Sequence, residues 1–303
     1  MRRSRVIAVS STAALVVAAS SAAPAAAPPV QVIDRNGVNV GALGDIVVWE
    51  GTRGGRPALI RRIDGRASAI PGVRRGGVLD YRFDPGRFRG LDLGLDRRGR
   101  VVASYRFCNP SCGDPRVVDV RTGGERRLRF ARPRHCPGLG AVARWRTRTV
   151  VSLFCPERSS GLYLAHGGRA RLVRAMASSN PVVDLGPDVL AWATSAGVWV
   201  ASPGAPGCST PVVRLPDRAI QVDVHVTPGR VWWGFSTARN VGGGEFTYGT
   251  AEVGPACSVS EPRTVTTFPE LGWANRTFAV DGPNVYVAGR DSGGLVSAPL
   301  EAG

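Results

Sequence analysis

Lysine is missing from this chain: all 39 basic residues are arginine. Together with the abundance of Ala, Gly, Pro and Val, this reads as a GC-rich coding bias, so part of the positive charge is compositional. Histidine is scarce. The three histidines, His135, His166 and His225, share no common spacing, and a lone histidine is ordinarily structural. Long apolar runs are missing too. The longest, VIAVSSTAALVVAA near the N-terminus, has about 14 residues diluted by Ser and Thr, short of the roughly 20 that a spanning helix needs. No stretch carries a 3.6-residue apolar period, which argues against a helical architecture. No tight Cys-x-x-Cys pairs stand beside histidines, so a zinc site is not expected, and no metal or other cofactor is called for.

The N-terminus has the charged, apolar and small-residue order of a secretory signal: MRRSR, the apolar run, then SSAAPAAAPP. Cleavage is expected near Ala23-Pro24-Ala25, giving a signal over 1–25 and one domain over 26–303. No cysteine near the cleavage site is placed to take a lipid, and LVSAPLEAG at the other end holds no apolar tail or sorting signal. The mature chain is therefore expected to be exported and soluble, outside the cell or in its envelope. With 43% hydrophobic residues it is long enough to bury one substantial core.

One short pattern recurs six times: DIVVW (45–49), RVVAS (100–104), TVVSL (149–153), DVLAW (188–192), RVWWG (230–234) and NVYVA (284–288). The anchors Ile46, Val101, Val150, Val189, Val231 and Val285 stand 55, 49, 39, 42 and 54 residues apart. Gly-rich turns and second strands follow most of them, and further short strands flank the hairpins. Four strands in about 48 residues is the size of a propeller blade. The pattern predicts an all-β, six-bladed β-propeller of four-stranded blades. The sixth unit ends one outer strand short, and VQVID (30–34) is the candidate to supply that strand and seal the ring.

The segment DLGLDRRGRVVASYRFCNPSCGDPRVVDVRTGGERRL (92–128) resembles the propeller repeat of the TolB-like, WD40-like family. Asp119, Thr122, Gly123 and the Arg126-Arg127-Leu128 end match its "ϕ-x-ϕ-D-ϕ-x-T-G" and Arg-Arg-Leu elements; the other units match only the outline. The resemblance implies fold and not activity. No separate domain is expected before the repeats, so the partners of that family are not expected to carry over.

Six cysteines in an exported chain predict three disulfides. Cys136 stands where the third unit's first strand begins and Cys155 where its second ends, neighbours in an antiparallel pair. Cys108 and Cys112 are placed to close the hairpin loop of the second unit, leaving Cys208 with Cys257 across units four and five. Bonding of Cys108 or Cys112 to Cys136 is the alternative.

Charge is uneven along the chain. Residues 51–148 hold 24 Arg against 8 acids, 24 − 8 = +16, and residues 149–303 hold 11 Arg against 12 acids, 11 − 12 = −1. In a ring of blades this makes one sector electropositive, suited to an anionic polymer or an acidic protein. The candidate ligand-binding residues are Arg97, Arg98, Arg100, Arg146 and Arg148, read as lying in turns between first and second strands. The bland reading is solvated turn arginines, with Arg126, Arg127 and Arg129 protecting an outer edge. Nucleic acid is the weaker partner class, although YRFDPGRFRG (81–90) interleaves aromatics with arginine.

Catalytic patterns are sparse. RDSGGLV (290–296) resembles the nucleophile turn of trypsin-like proteases and RHC (134–136) their His-Cys pair, but Arg290 replaces the glycine of the oxyanion hole and only nine residues follow Gly294. No Gly-x-Ser-x-Gly elbow is present for a propeller-capped hydrolase. Asp92 and Asp96 lack the dense oxygen ligands of a calcium loop. Aspartates recur at Asp45, Asp92, Asp184, Asp223 and Asp281, a repetition that fits turn geometry. The enzymatic alternative is a carbohydrate-active lyase or hydrolase, and it requires two acids within about 10 Å of each other in the central channel. The leading expectation is a non-enzymatic binding module.

Overall fold

The computed structural model describes residues 30–73, 88–108, 112–130, 136, 138–155, 160–166, 169–176, 181–205, 207–239, 243–268, 277–289 and 294–300. The signal reading (1–25), most of YRFDPGRFRG, His135 and the segment around Ser292 lie outside the described residues.

Six four-stranded antiparallel sheets form the blades of a six-bladed β-propeller. The innermost strands are Val38–Leu43, Phe88–Leu95, Gly138–Trp145, Val182–Leu185, Ala219–Thr227 and Thr277–Asp281, in blades 1 to 6, and each contacts the innermost strand of the next blade around the ring. The expected anchor runs are the second strands: Ile46–Arg53, Val101–Cys108, Arg148–Phe154, Leu190–Thr194, Arg230–Arg239 and Asn284–Gly289. Tight turns join first to second strands. In blade 1 Leu43 pairs with Ile46 across Gly44 at φ +64°, and in blade 5 Thr227 pairs with Arg230 across Pro228 and Gly229 at φ +71°. Left-handed residues in such loops match the twist of the paired strands.

Closure follows the expected route. Gln31–Asp34 pairs antiparallel with Gly294–Pro299 and becomes the outermost strand of blade 6, while the next strand in sequence is the innermost strand of blade 1. The Trp49 indole N–H donates to Asp34 Oδ2 at 2.7 Å, so the closing strand is also tied to blade 1.

The core lies between blades. The larger buried clusters are shared by adjacent blades: Ile46, Val48, Leu59, Leu93 and Tyr105 for blades 1 and 2, or Ala191, Val200, Val224, Val231 and Trp233 for blades 4 and 5. Alternation within each strand sends successive side chains to the two opposite neighbours. At the centre the innermost strands nearly touch: a Cβ on Gly94 would sit 1.6 Å from the Arg144 carbonyl oxygen, so only glycine fits.

The turn that carries the family resemblance is built by its own residues. Asp119 Oδ1 accepts the N–H groups of Arg121 (2.9 Å) and Thr122 (2.8 Å), and Gly123 donates to the Asp119 carbonyl at 2.8 Å with φ +78°. An Asp followed by Thr-Gly thus closes the corner before the outer strand Glu125–Arg127.

Cys136 and Cys155 are bonded, Cα atoms 4.1 Å apart, and Cys208 and Cys257 are bonded between blades 4 and 5, Cα atoms 6.3 Å apart. Cys108 is also disulfide-bonded, and the strand register sets it opposite Cys112.

Candidate functional site

Two places gather functional groups. The first is the channel where the innermost strands begin. A cavity of about 280 Å³ is lined from all six blades, by Val40, Asp92, Val142, Val183, His225 and Phe278 among others. Bulges open this end: the ladder slips between Val38 and Val40, between Arg89 and Asp92, and between Ile220 and Asp223, with Asn39, Gly90 and Gln221 at positive φ. A bulge re-aims the side chain that follows it. In blades 2 and 5 that residue is an aspartate.

Asp223 and His225 are two apart on one strand and share its face. His225 Nδ1 lies 3.0 Å from Asp184 Oδ2 of blade 4, and Nε2 lies 3.1 Å from the Val280 carbonyl of blade 6. Burial works against charging the ring, but two acceptors and the nearby carboxyls of Asp184 and Asp223 win, and its pKa is raised. Asp184 Oδ2 also accepts the Val226 N–H at 2.6 Å, and Oδ1 the Leu185 N–H at 2.5 Å. Asp223 accepts from Val224 N–H and, across the blade boundary, from Phe278 N–H, both at 2.9 Å. Burial nevertheless pushes Asp223 up to about 7, with Asp184 adding to the rise. Burial and the adjacent Asp184 carboxyl raise Asp92 well above the usual carboxylate range. Asp92 is 8% exposed, and its Oδ2 has no hydrogen-bond partner among the described residues.

Three of the five recurring aspartates therefore do not serve the turns that their repetition suggested. Asp92, Asp184 and Asp223 are buried on innermost strands, and the latter two clasp blade 4 to blade 5 and blade 5 to blade 6. The signal was available in VDVHV (222–226), whose alternation puts Asp223 and His225 on one side of a strand. Reading each histidine singly hides it.

The second place is the opposite end of the channel, where first strands turn into second strands. The Arg146 N–H donates to the Leu95 carbonyl at 2.7 Å, which locks the turn of blade 3 against that of blade 2. Arg97, Arg98 and Arg146 are exposed there, with no acidic partner among the described residues. Arg146 is a turn residue at φ +54°; Arg148 is half-buried, opens the second strand opposite Trp145, and donates to the Pro187 carbonyl of blade 4 at 3.2 Å. The turn reading thus holds for Arg146 and not for Arg148, because the loop is only Arg146-Thr147. Arg100 is committed differently, bonding Asp96 at 2.7 Å and Asp119 at 3.0 Å. Asp96 is the cap of that turn: burial opposes its charge, but the N–H groups of Arg100 and Arg98 and the Arg100 guanidinium draw it down to about 2.

Behind this surface lies the first of the three alternating arginines of ARWRTR (143–148). Arg144 is 7% exposed, its Nη1 donates to Thr149 Oγ1 at 3.2 Å, and its pKa is lowered by burial and by the like charges of Arg126 and Arg97. That mutual repulsion marks a concentration of guanidinium groups at the boundary of blades 2 and 3.

No family model matches the sequence, and no curated protein is similar to it in sequence. Among solved structures it is similar to a prolyl endopeptidase (13% identity, TM-score 0.43, 88% of this chain and 43% of that one) and to a puromycin hydrolase (15%, 0.45, 90% and 56%), so it spans about half the length of these. It is also similar to a putative TolB from Agrobacterium tumefaciens (11%, 0.41, 78% and 87%) and to the six-bladed fucose-recognising lectin of Aleuria aurantia (11%, 0.46, 82% and 86%). The likeness extends to fold alone, and the strand order within and between the six sheets is what establishes the propeller.

Proposed function

We propose that this protein is an exported, non-enzymatic binding propeller whose ligand is an anionic surface polymer or an acidic protein, held at the boundary of blades 2 and 3. The observation that carries this reading is the Arg146 N–H to Leu95 bond, which brings Arg97, Arg98 and Arg146 to one surface without acidic neighbours among the described residues. Three exposed guanidiniums on neighbouring turns, without an acidic partner among the described residues, form a field for a chain of negative groups, with planar donors suited to carboxylate, sulfate or phosphate. Arg148, on the second strand of blade 3, is half-buried and ties that blade to the Pro187 carbonyl of blade 4. Arg100 holds the turn through Asp96 and Asp119. The disulfides fit an oxidising compartment.

The carbohydrate-active alternative meets its proximity condition, since Asp184 acts directly on Asp92. Access counts against it: Asp184 is 3% exposed, with both oxygens accepting from neighbouring N–H groups, and the cavity of about 280 Å³ is below the roughly 300–1,000 Å³ of ordinary ligand pockets.

The test is binding of the mature protein to dextran sulfate and to polyglutamate at low salt, beside the variant Arg97→Ser/Arg98→Ser/Arg146→Ser. The expected result is saturable binding to at least one polymer and at least tenfold weaker binding by the variant. Equal binding by the two proteins, or none by either, overturns the proposal.

A further inference from the structure

The cavity at the other end of the channel has its own chemistry, independent of the arginine surface. Its walls are largely apolar: Val40, Leu91, Val142, Val183, Val224 and Phe278. Its acidic groups come in from opposite blades of the ring. Asp92 from blade 2 and Asp223 from blade 5 line it, with Asp184 of blade 4 behind them bonded to His225. Among these only Asp92 combines more than nine-tenths burial with an oxygen lacking any partner among the described residues. Arg106 also lines the cavity, but its guanidinium is directed to the Leu139 carbonyl, and its charge is not among the influences on Asp92 or Asp223.

An acceptor oxygen buried without a donor is destabilising. A ligand that brings a donor recovers that cost, and one that also brings positive charge compensates the carboxyls. We propose that this cavity binds a small primary ammonium compound, its nitrogen donating to Asp92 Oδ2 and, across the channel, to Asp223, with its compact hydrocarbon body against the apolar wall of Leu91, Val183 and Phe278.

Charge balance fixes how such a ligand enters. Burial and the neighbouring Asp184 make Asp92 hold its proton well above the ordinary carboxylate range, and Asp223, pushed up to about 7, is divided between its two forms near neutral pH. The groups facing them are Asp184, His225 and each other, with the Arg144 N–H on Asp92 and the Val224 and Phe278 N–H groups on Asp223. An arriving ammonium replaces a carboxyl proton, one positive charge for another, and the displaced proton goes to solvent. No covalent bond is made or broken beyond that proton's. Binding is therefore proton-linked: affinity rises with pH by up to about tenfold per pH unit for one proton released.

The experiment is titration calorimetry of the mature protein with cyclohexylammonium chloride and, separately, cyclohexanol, between pH 6 and pH 8 in two buffers of different ionisation enthalpy. The expected result is saturable binding of the amine, stronger at pH 8 than at pH 6, with release of close to one proton per molecule bound, and at least tenfold weaker binding of the alcohol. The variant Asp92→Asn should lose at least tenfold in amine affinity while melting as a single cooperative unit. The arginine triple variant should keep it, so this result and the polyanion result stand or fall separately. In case Asp92→Asn does not fold, Val183→Leu, which fills the cavity from an apolar wall, serves as the second variant and should weaken the amine to the same degree. Absence of amine binding at millimolar concentration, equal binding of the alcohol, affinity that does not change with pH, or full affinity in the folded variants overturns the proposal.

Discussion

Raising the pH from 5 to 8 should destabilise this propeller, because the groups that clasp blades 4, 5 and 6 hold protons more tightly in the folded chain than in the unfolded one. Asp223 moves from the ordinary 3.8 to about 7. Between those values the folded state binds the proton and the unfolded state does not, so stability falls as pH rises through the window. The full interval corresponds to about 4 kcal/mol, at about 1.4 kcal/mol per pH unit. His225 acts in the same direction. Its folded pKa is raised, so its contribution is complete below about 6.5 and is lost as pH rises through the folded value. Asp92, also raised, adds to the fall. Asp96 is the opposite case: drawn down to about 2, it contributes above 3.8 and loses that contribution only in strong acid, outside the range considered. Urea denaturation followed by tryptophan fluorescence at pH 5, 6, 7 and 8 should give a midpoint that declines steadily. Asp223→Asn should flatten the profile. The amide keeps one acceptor, for Phe278 or for Val224 but not both, so the variant starts lower at pH 5 by about 1–2 kcal/mol and ends level with or above the parent at pH 8. A parent profile that is flat or rises between pH 5 and 8, or a variant as steep as the parent, would refute the reasoning.

Closure and cross-linking give two further expectations. Asp34→Ala removes the acceptor of the Trp49 indole and should cost about 1.5–3 kcal/mol in denaturant, as for a hydrogen bond to a charged group; a loss under 0.5 kcal/mol would mean that strand pairing alone holds the ring. Non-reducing peptide mapping should recover Cys136 with Cys155 and Cys208 with Cys257, and replacing Cys136 and Cys155 together by serine, across a separation of 19 residues, should cost about 3 kcal/mol; free thiols at these positions would contradict the blade alignment.

How far the sequence carries depends on the kind of signal. Six blades, their second strands and the closing strand were legible because each rests on local repetition: a β-rich run after a turn recurs six times, and one unit lacks a strand that VQVID supplies. The Cys136 and Cys155 pairing followed from strand ends that must be neighbours. The channel was not legible, because it is made by residues from different blades. Asp184 meets His225 across 41 residues, and nothing in either stretch announces the other. Arg144 likewise reads as one more arginine in an alternating series, and only the two-residue turn after it shows that it points inward while Arg146 points out.

The measurement that bears most directly on the central claim is the salt dependence of polyanion binding. The logarithm of the association constant for dextran sulfate should fall linearly with the logarithm of salt concentration, as counterions are released, and the Arg97→Ser/Arg98→Ser/Arg146→Ser variant should show a slope shallower by about 2–3, one released ion for each guanidinium removed. Equal slopes in the two proteins would contradict the account and leave the excess of arginine in the first half of the chain as composition alone.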